Sequence, residues 1–359
     1  MENKHKLILL LDEAMFSHKL IYSLLEKFDE NDLLFNLDKI QHELISVVGE
    51  SCFCKLKNAI CLKKIEKIAS KLNNFNVGVV FYDDKEYPQK LLNISCPPPV
   101  IYYKGDVVLL NKKSIAIVGT RRPTVYGRET TKLFATKLSE AGLVTVSGLA
   151  YGLDMEVAVS TLEARGKTIA VLGGGLDEIY PSQNTNLANK IVDDGGLLIS
   201  LHPPGRKPTK YSFVERNRII SGLSLGTIII EAGESSGTLN TANHTIEQGR
   251  ELFVVPANIN SVASKGSNKL IEELPETFTI RPERVLKVLN IKTEENKSSS
   301  NVEIADIEKN ILNLLYEKDL DFDQIQEQTK IESKTLISLL TMMEINGLIK
   351  KLPGNFYSL

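Results

Sequence analysis

From Lys113 onward the chain repeats one pattern. A short apolar run is followed by a glycine- or serine-rich break, then by a longer stretch with apolar positions at helical spacing. The runs are SIAIV (114–118), LVTV (143–146), TIAVL (168–172), LLIS (197–200), TIIIE (227–231) and LFVVP (252–256). None alternates apolar with polar, so each predicts a strand covered on both faces. Segments such as RETTKLFATKLSEA and SGTLNTANHTIEQ lie between them and predict helices. That alternation predicts an α/β fold, a doubly wound and mostly parallel sheet. Ligands of such sheets bind beyond the carboxyl ends of the strands, and the glycine-rich breaks fall there.

The flanks read differently. Residues 1–75 carry helical periodicity in LIYSLLEKF, DLLFNLDKI and LKKIEKIASKL. Strands are expected at 77–81 and 100–103, joined through the rigid Pro97-Pro98-Pro99. KTEENKSSSN (292–301) is polar and aperiodic, which predicts a linker. After it, ADIEKNILNLLYEKD, DFDQIQEQTK and SKTLISLLTMMEING predict three helices, and IKKLPGNFYSL a hairpin, together a winged helix. The expected organisation is a helical domain at 1–75, an α/β domain at 76–291, a linker at 292–302 and a winged helix at 303–359.

Composition narrows the chemistry. The 359 residues are 42% hydrophobic and 25% charged, with a formal net charge of -2. The early run Ile8-Leu9-Leu10-Leu11 ends at once in Asp12-Glu13, too short for a signal peptide core or a membrane span. Cytoplasmic location is the default expectation. Cys52, Cys54 and Cys61 lack paired metal-site spacing and a fourth ligand, so helix positions are expected there rather than a metal. Neither GxGxxG nor GxxxxGK[ST] occurs, which argues against a dinucleotide site and against ATP hydrolysis. His202 and His244, the two histidines of the α/β region, have no triad neighbours, so no catalytic residue, metal or cofactor is expected.

What remains is cationic and aromatic. In IVGTRRPTVYGRE, Gly119 permits a tight turn after the strand, and Arg121, Arg122 and Arg128 stand at or near a helix N-terminus, where anions are favoured. KYSFVERNRIISG (210–222) follows the fourth strand of the series; residues 206–218 hold five cations against the single Glu215. Cations that track a phosphate chain beside rings that stack on bases are the composition of a sequence-tolerant single-strand binder. A solvated loop entering a helix is the plainer reading. Gly148 and Gly152 in SGLAYGLD, GGGLDEIYP, and Ser236-Gly237-Thr238 add turns on the same rim. Glu231 and Asp154 could be paired acids there, though capping of backbone amides suits them better.

Nine segments in order resemble the DNA-processing protein A (DprA/Smf) family: VVFYDDKEYPQKLL, PPPVIYYKGD, IAIVGTRRPTVYG, VSGLAYGLD, KTIAVLGGGLDEIYP, FVERNRIISGLS, EAGESSGTLNTA, EQGRELFVVP and KGSNKLI. The resemblance implies an extended Rossmann-like domain with a SAM-like helical domain before it. It implies a protein without turnover that binds single-stranded DNA, dimerises through the Rossmann-like domain and loads RecA recombinase, in recombination and natural transformation. Carried onto this chain, it assigns DNA contacts to Gly119, Thr120, Arg121, Lys210, Phe213, Arg216, Asn217, Arg218, Ser236, Gly237 and Thr238, and Arg122 and Gly148 join them by their place on the same rim. Asn217 shares with Ile219 and Ile220 the task of docking the segment.

Ala158 stands where relatives often carry a His, and Ala257 where they carry Gly. The alternative reading is a Rossmann-like enzyme that hydrolyses a nucleotide N-glycosidic bond with Glu231 as its acid. The winged helix holds ten acids and six bases between 303 and 359, so a protein-contact or regulatory role is expected of it rather than duplex reading.

Overall fold

The structure is a computed structural model describing residues 1–291, 306–345, 348–352 and 354–359. It divides into two compact units, Met1–Thr293 and Glu294–Leu359. The linker expected at 292–302 lies outside the described residues.

In the first unit the six apolar runs from residue 114 onward, and those at 77–81 and 100–103, become strands. They are β1 (Gly78–Phe81), β2 (Val100–Gly105), β3 (Ser114–Val118), β4 (Val144–Ser147), β5 (Thr168–Leu172), β6 (Leu197–Ser200), β7 (Gly226–Ile229) and β8 (Glu251–Val254). They form one sheet in the order β1-β2-β6-β5-β4-β3-β7-β8. From β6 to β8 every pair is parallel, while β1 and β2 add an antiparallel edge. β7 is displaced from its apolar run. Its pairing with β3 ends at Val118↔Ile229, which leaves Ile230 and Glu231 to shape the turn beyond.

Alternate residues of the buried strands serve opposite faces. Ile115 and Ile117 pack with Phe134 and Leu138 of the helix Val125–Glu140 and with Leu153 and Val157 of the helix Leu153–Glu163. Ala116 and Val118 share a core with Ile219, Ile220 and Leu223 of the helix Lys210–Leu223. KYSFVERNRIISG is therefore helix from its first residue rather than a loop leading into one. The reason is local: Thr209 caps it, accepting from Ser212 N at 3.1 Å while Ser212 Oγ accepts from Thr209 N at 2.8 Å.

Residues 3–74 supply six helices: Asn3–Glu13, His18–Lys27, Glu30–Phe35, Gln41–Val48, Glu50–Ala59 and Leu62–Asn74. DLLFNLDKI is helical only to Phe35, because Asn36 leaves the helical region at φ −129. Of the clustered cysteines, Cys54 is exposed and Cys52 and Cys61 are half-buried. The run Leu7–Leu11 has no polar side because it is buried all round, and its core is continuous with Tyr102, Leu172 and Leu198 of the sheet. Asp12 ends that run inside the protein and accepts the Tyr102 hydroxyl at 2.7 Å.

The second unit contains helices Asp306–Glu317, Phe322–Thr329 and Ser333–Ile345. Its strands β9 (Leu320–Asp321), β10 (Lys350–Leu352) and β11 (Phe356–Ser358) pair in the order β10-β11-β9. The expected hairpin thus gains a third short strand, and the arrangement is a winged helix. Ile311, Leu315, Ile325, Leu336, Leu340 and Met343 form its core.

Burial pushes the Asp12 carboxyl up to about 7, against the pull of the Tyr102 hydrogen bond. The folded chain therefore keeps a proton that the unfolded chain releases near 3.8. Stability from this group is full below the unfolded value and is lost as pH rises through the folded one. Asp12→Asn cannot ionise, so its stability relative to the parent should increase between about pH 4 and pH 7 in urea titrations. A difference that stays constant over that range would contradict the assignment.

Candidate nucleic-acid interface

β3 lies between β4 and β7, so the connections leaving β3 and β7 part in opposite directions. Ligand crevices of open α/β sheets form at such a switch point. Here a cleft of about 870 Å³ opens beyond the strand ends, lined among others by Gly119, Thr120, Arg121, Arg122, Lys210 and Phe213.

The first wall is the turn after β3. Thr120 N donates to Glu231 O at 2.8 Å, Leu153 N donates to Thr120 O at 3.2 Å, and Arg122 N donates to Thr120 Oγ1 at 3.2 Å. Gly152, at φ +80, lies so close that a Cβ would come 2.5 Å from Thr120 O. A turn pinned from both sides fixes the backbone and leaves Arg121 and Arg122 exposed over the cleft. Behind it Thr124 caps the helix Val125–Glu140. Its N–H donates to Glu231 Oε2 at 3.0 Å and its hydroxyl to Glu231 Oε1 at 2.6 Å. Glu231 is 1% exposed and Asp154 accepts from Gly148 N at 3.1 Å. Both acids serve backbone amides.

The second wall is the helix Lys210–Leu223. Lys210 is exposed at its first turn, where an anion is also favoured by the helix dipole. Phe213 is half-buried, with the Arg121 guanidinium 5.4 Å from its ring centroid and the Tyr180 ring 5.7 Å away at 45°. Gly173, just past β5, makes room for it, since a Cβ there would sit 2.8 Å from Phe213 Cδ1. Tyr180 is 52% exposed and belongs to the cleft, yet sequence reasoning passed over it. Its signal was present in GGGLDEIYP, read for its glycines alone.

The expected DNA residues divide in the structure. Gly119, Thr120, Arg121, Arg122, Lys210, Phe213, Asn217, Ser236, Gly237 and Thr238 line the cleft. Ser236 caps the helix Gly237–Glu247, accepting from Thr238 N at 3.2 Å, and Asn217 Nδ2 donates to Gly237 O at 3.2 Å, tying two walls together.

Arg216 reaches the cleft floor but is 5% exposed. Nη1 donates to Val171 O at 3.0 Å and Nη2 lies 3.7 Å from Asp154 Oδ2. Burial pushes the Asp154 carboxyl up, and the facing guanidinium and the amides of Ala150 and Gly148 oppose it. Gly148 does not line the cleft; a Cβ there would collide with the Arg216 guanidinium. Arg218 differs most from expectation. It turns away, donating to Ser95 O at 3.3 Å and to Cys96 O at 2.8 Å on the far side of the helix. Asp154 is the single acid among the described lining residues, and it is ion-paired.

A Rossmann-like sheet with this cleft at its switch point, followed by a winged helix, defines the class. The chain belongs to the family of DNA recombination-mediator protein A (DprA/Smf), whose profile matches residues 78–290, and residues 295–355 match the DprA winged helix domain. It is 40% identical over 221 residues to the DNA processing protein DprA of Bacillus subtilis, covering 61% of this chain and 74% of that one. It is 32% identical over 305 residues to the protein Smf of Escherichia coli, covering 83% and 81%. Among solved structures it resembles DprA of Streptococcus pneumoniae, with a TM-score of 0.66 and 30% identity over 80% of this chain and 98% of that one. It also resembles DprA of Helicobacter pylori, studied for its single-stranded DNA binding mode, with a TM-score of 0.55 and 31% identity over 60% and 96%.

Arg216→Ala would leave Asp154 buried without its partner, which costs about 3–5 kcal/mol. Arg122→Ala removes an exposed side chain and should leave the unfolding midpoint where it is. Urea titration of the two variants checks this, and equal midpoints would contradict the division of the arginines into strut and rim.

Proposed function

We propose that the chain binds single-stranded DNA in this cleft and, without catalytic turnover, loads RecA recombinase onto it as a homodimer joined through the Rossmann-like domain. The setting is recombination and the processing of DNA taken up in natural transformation, in the cytoplasm. The observation that carries the DNA reading is the contact of the exposed Arg121 with Phe213, flanked by exposed Arg122 and Lys210. Cations grip phosphates and the rings of Phe213 and Tyr180 offer stacking surfaces, which makes binding tolerant of sequence. Partnership with RecA and dimerisation rest on the family. Among the described residues no helix is long and apolar enough to cross a membrane.

The glycosidase alternative needs a free acid at Glu231, and both carboxylate oxygens of Glu231 are held by Thr124. Base release from nucleoside monophosphates, abolished by Glu231→Gln, would overturn the non-enzymatic reading.

Gel shifts of the full chain on single- and double-stranded DNA, at low and high salt, test the proposal. Binding should favour the single strand and weaken steeply with salt. Phe213→Ala should cost about 1–3 kcal/mol, the worth of one stacked base. Arg121→Glu should weaken binding and flatten the salt dependence by about the 0.7 slope units of one phosphate contact. Parent-like binding by both variants would contradict the cleft assignment. Addition of RecA should give faster RecA assembly on the bound strand than on free DNA.

A further inference from the structure

The helix Lys210–Leu223 has a second cavity behind it. About 650 Å³ open between its far face and the first helices of the chain. Residues 210, 213, 216 and 217 face the basic cleft, whereas Tyr211, Glu215 and Arg218 fall on the other side at helical spacing. Val214 belongs to both walls and is 43% exposed, so it forms the crest between two adjoining hollows. Tyr211 is 75% exposed, the second ring of the KYSFVERNRIISG stretch and unused by the cleft.

The chemistry of this cavity differs from that of the cleft. Glu215 and Glu247 lie in its wall, which disfavours a phosphate inside. Burial, reinforced by a neighbouring arginine, pushes His18 and His202 down to about 4, so both imidazoles are neutral near pH 7. The neutral imidazoles of His18 and His202 stand in the wall beside the carboxylates of Glu215 and Glu247, which can accept from an N–H. A neutral, planar group carrying N–H and ring-nitrogen functions suits such a hollow, and a nucleobase is that group. Lys19 stands exposed in its wall and Lys210 exposed on the cleft side of the crest, where they can hold phosphates outside.

We propose that the single strand crosses the Val214 crest, so that a nucleobase beyond those in the cleft stacks on Tyr211 and enters the second cavity. The proposal rests on the single-strand reading of the cleft and extends its site across the helix. Arg218 then has a place in the site as a strut: it anchors the back of the helix to the carbonyls of Ser95 and Cys96, keeping the second cavity open beside it.

Oligothymidylates of about 4 to 16 nucleotides, bound to the full chain, test this by length. Tyr211→Ala should lower affinity for the longest by about five- to a hundredfold and leave the shortest unaffected, while Phe213→Ala should weaken all lengths. With 5-iodouracil placed along the oligonucleotide, photo-crosslinks should map to Phe213 at one position and to Tyr211 at another. Crosslinks to Phe213 alone, with Tyr211→Ala parent-like at every length, would overturn this inference and leave the cleft reading standing. Parent-like binding by Phe213→Ala as well would overturn both.

Discussion

The site depends on one buried guanidinium. Arg216 joins the end of β5, through Val171 O, to the first turn of the helix Leu153–Glu163, through Asp154. Neither Arg216 nor Asp154 has water to fall back on, so each holds the other in place. Because Arg216 lies one turn from Phe213 and beside Asn217, locking it sets the rotation of the whole helix Lys210–Leu223. That rotation decides which side chains face the basic cleft and which face the cavity behind. Gly148 is small for the same reason, since a side chain there would displace the guanidinium.

Around this strut, charge is sorted by depth. The inner cations and acids neutralise one another or serve backbone groups, as Glu231 does at Thr124. The outer cations Arg121, Arg122 and Lys210 have no acidic partner among the described residues. A chain with net charge -2 can therefore present a locally positive surface without being basic throughout. Phe213 is held between the two layers, with Gly173 behind it and Arg121 over its ring.

Much of this was legible in the residues. Strands buried on both faces leave continuous apolar runs, so β3 to β8 could be placed within a residue or two, and the glycine breaks marked the rim. The rotation of a helix whose two faces both meet protein was not legible. Arg216 and Arg218 look alike in a run of RNR, yet one is a buried strut and the other anchors the far side, because 200° of helix separates them. Tyr180 was hidden for a similar reason: an isolated ring in a loop has no periodicity to declare its neighbours. Helix length failed at DLLFNLDKI, where Asn36 ends the helix although Leu37 and Ile40 still pack on the core.

Hydrogen–deuterium exchange of the full chain with and without single-stranded DNA tests the central claim most directly, since it asks where the strand lies without altering a residue. Protection is predicted in the turn 119–122, in the first turns of the helix Lys210–Leu223 and at Ser236–Thr238. Protection confined to the winged helix, with those three segments unchanged, would contradict the account.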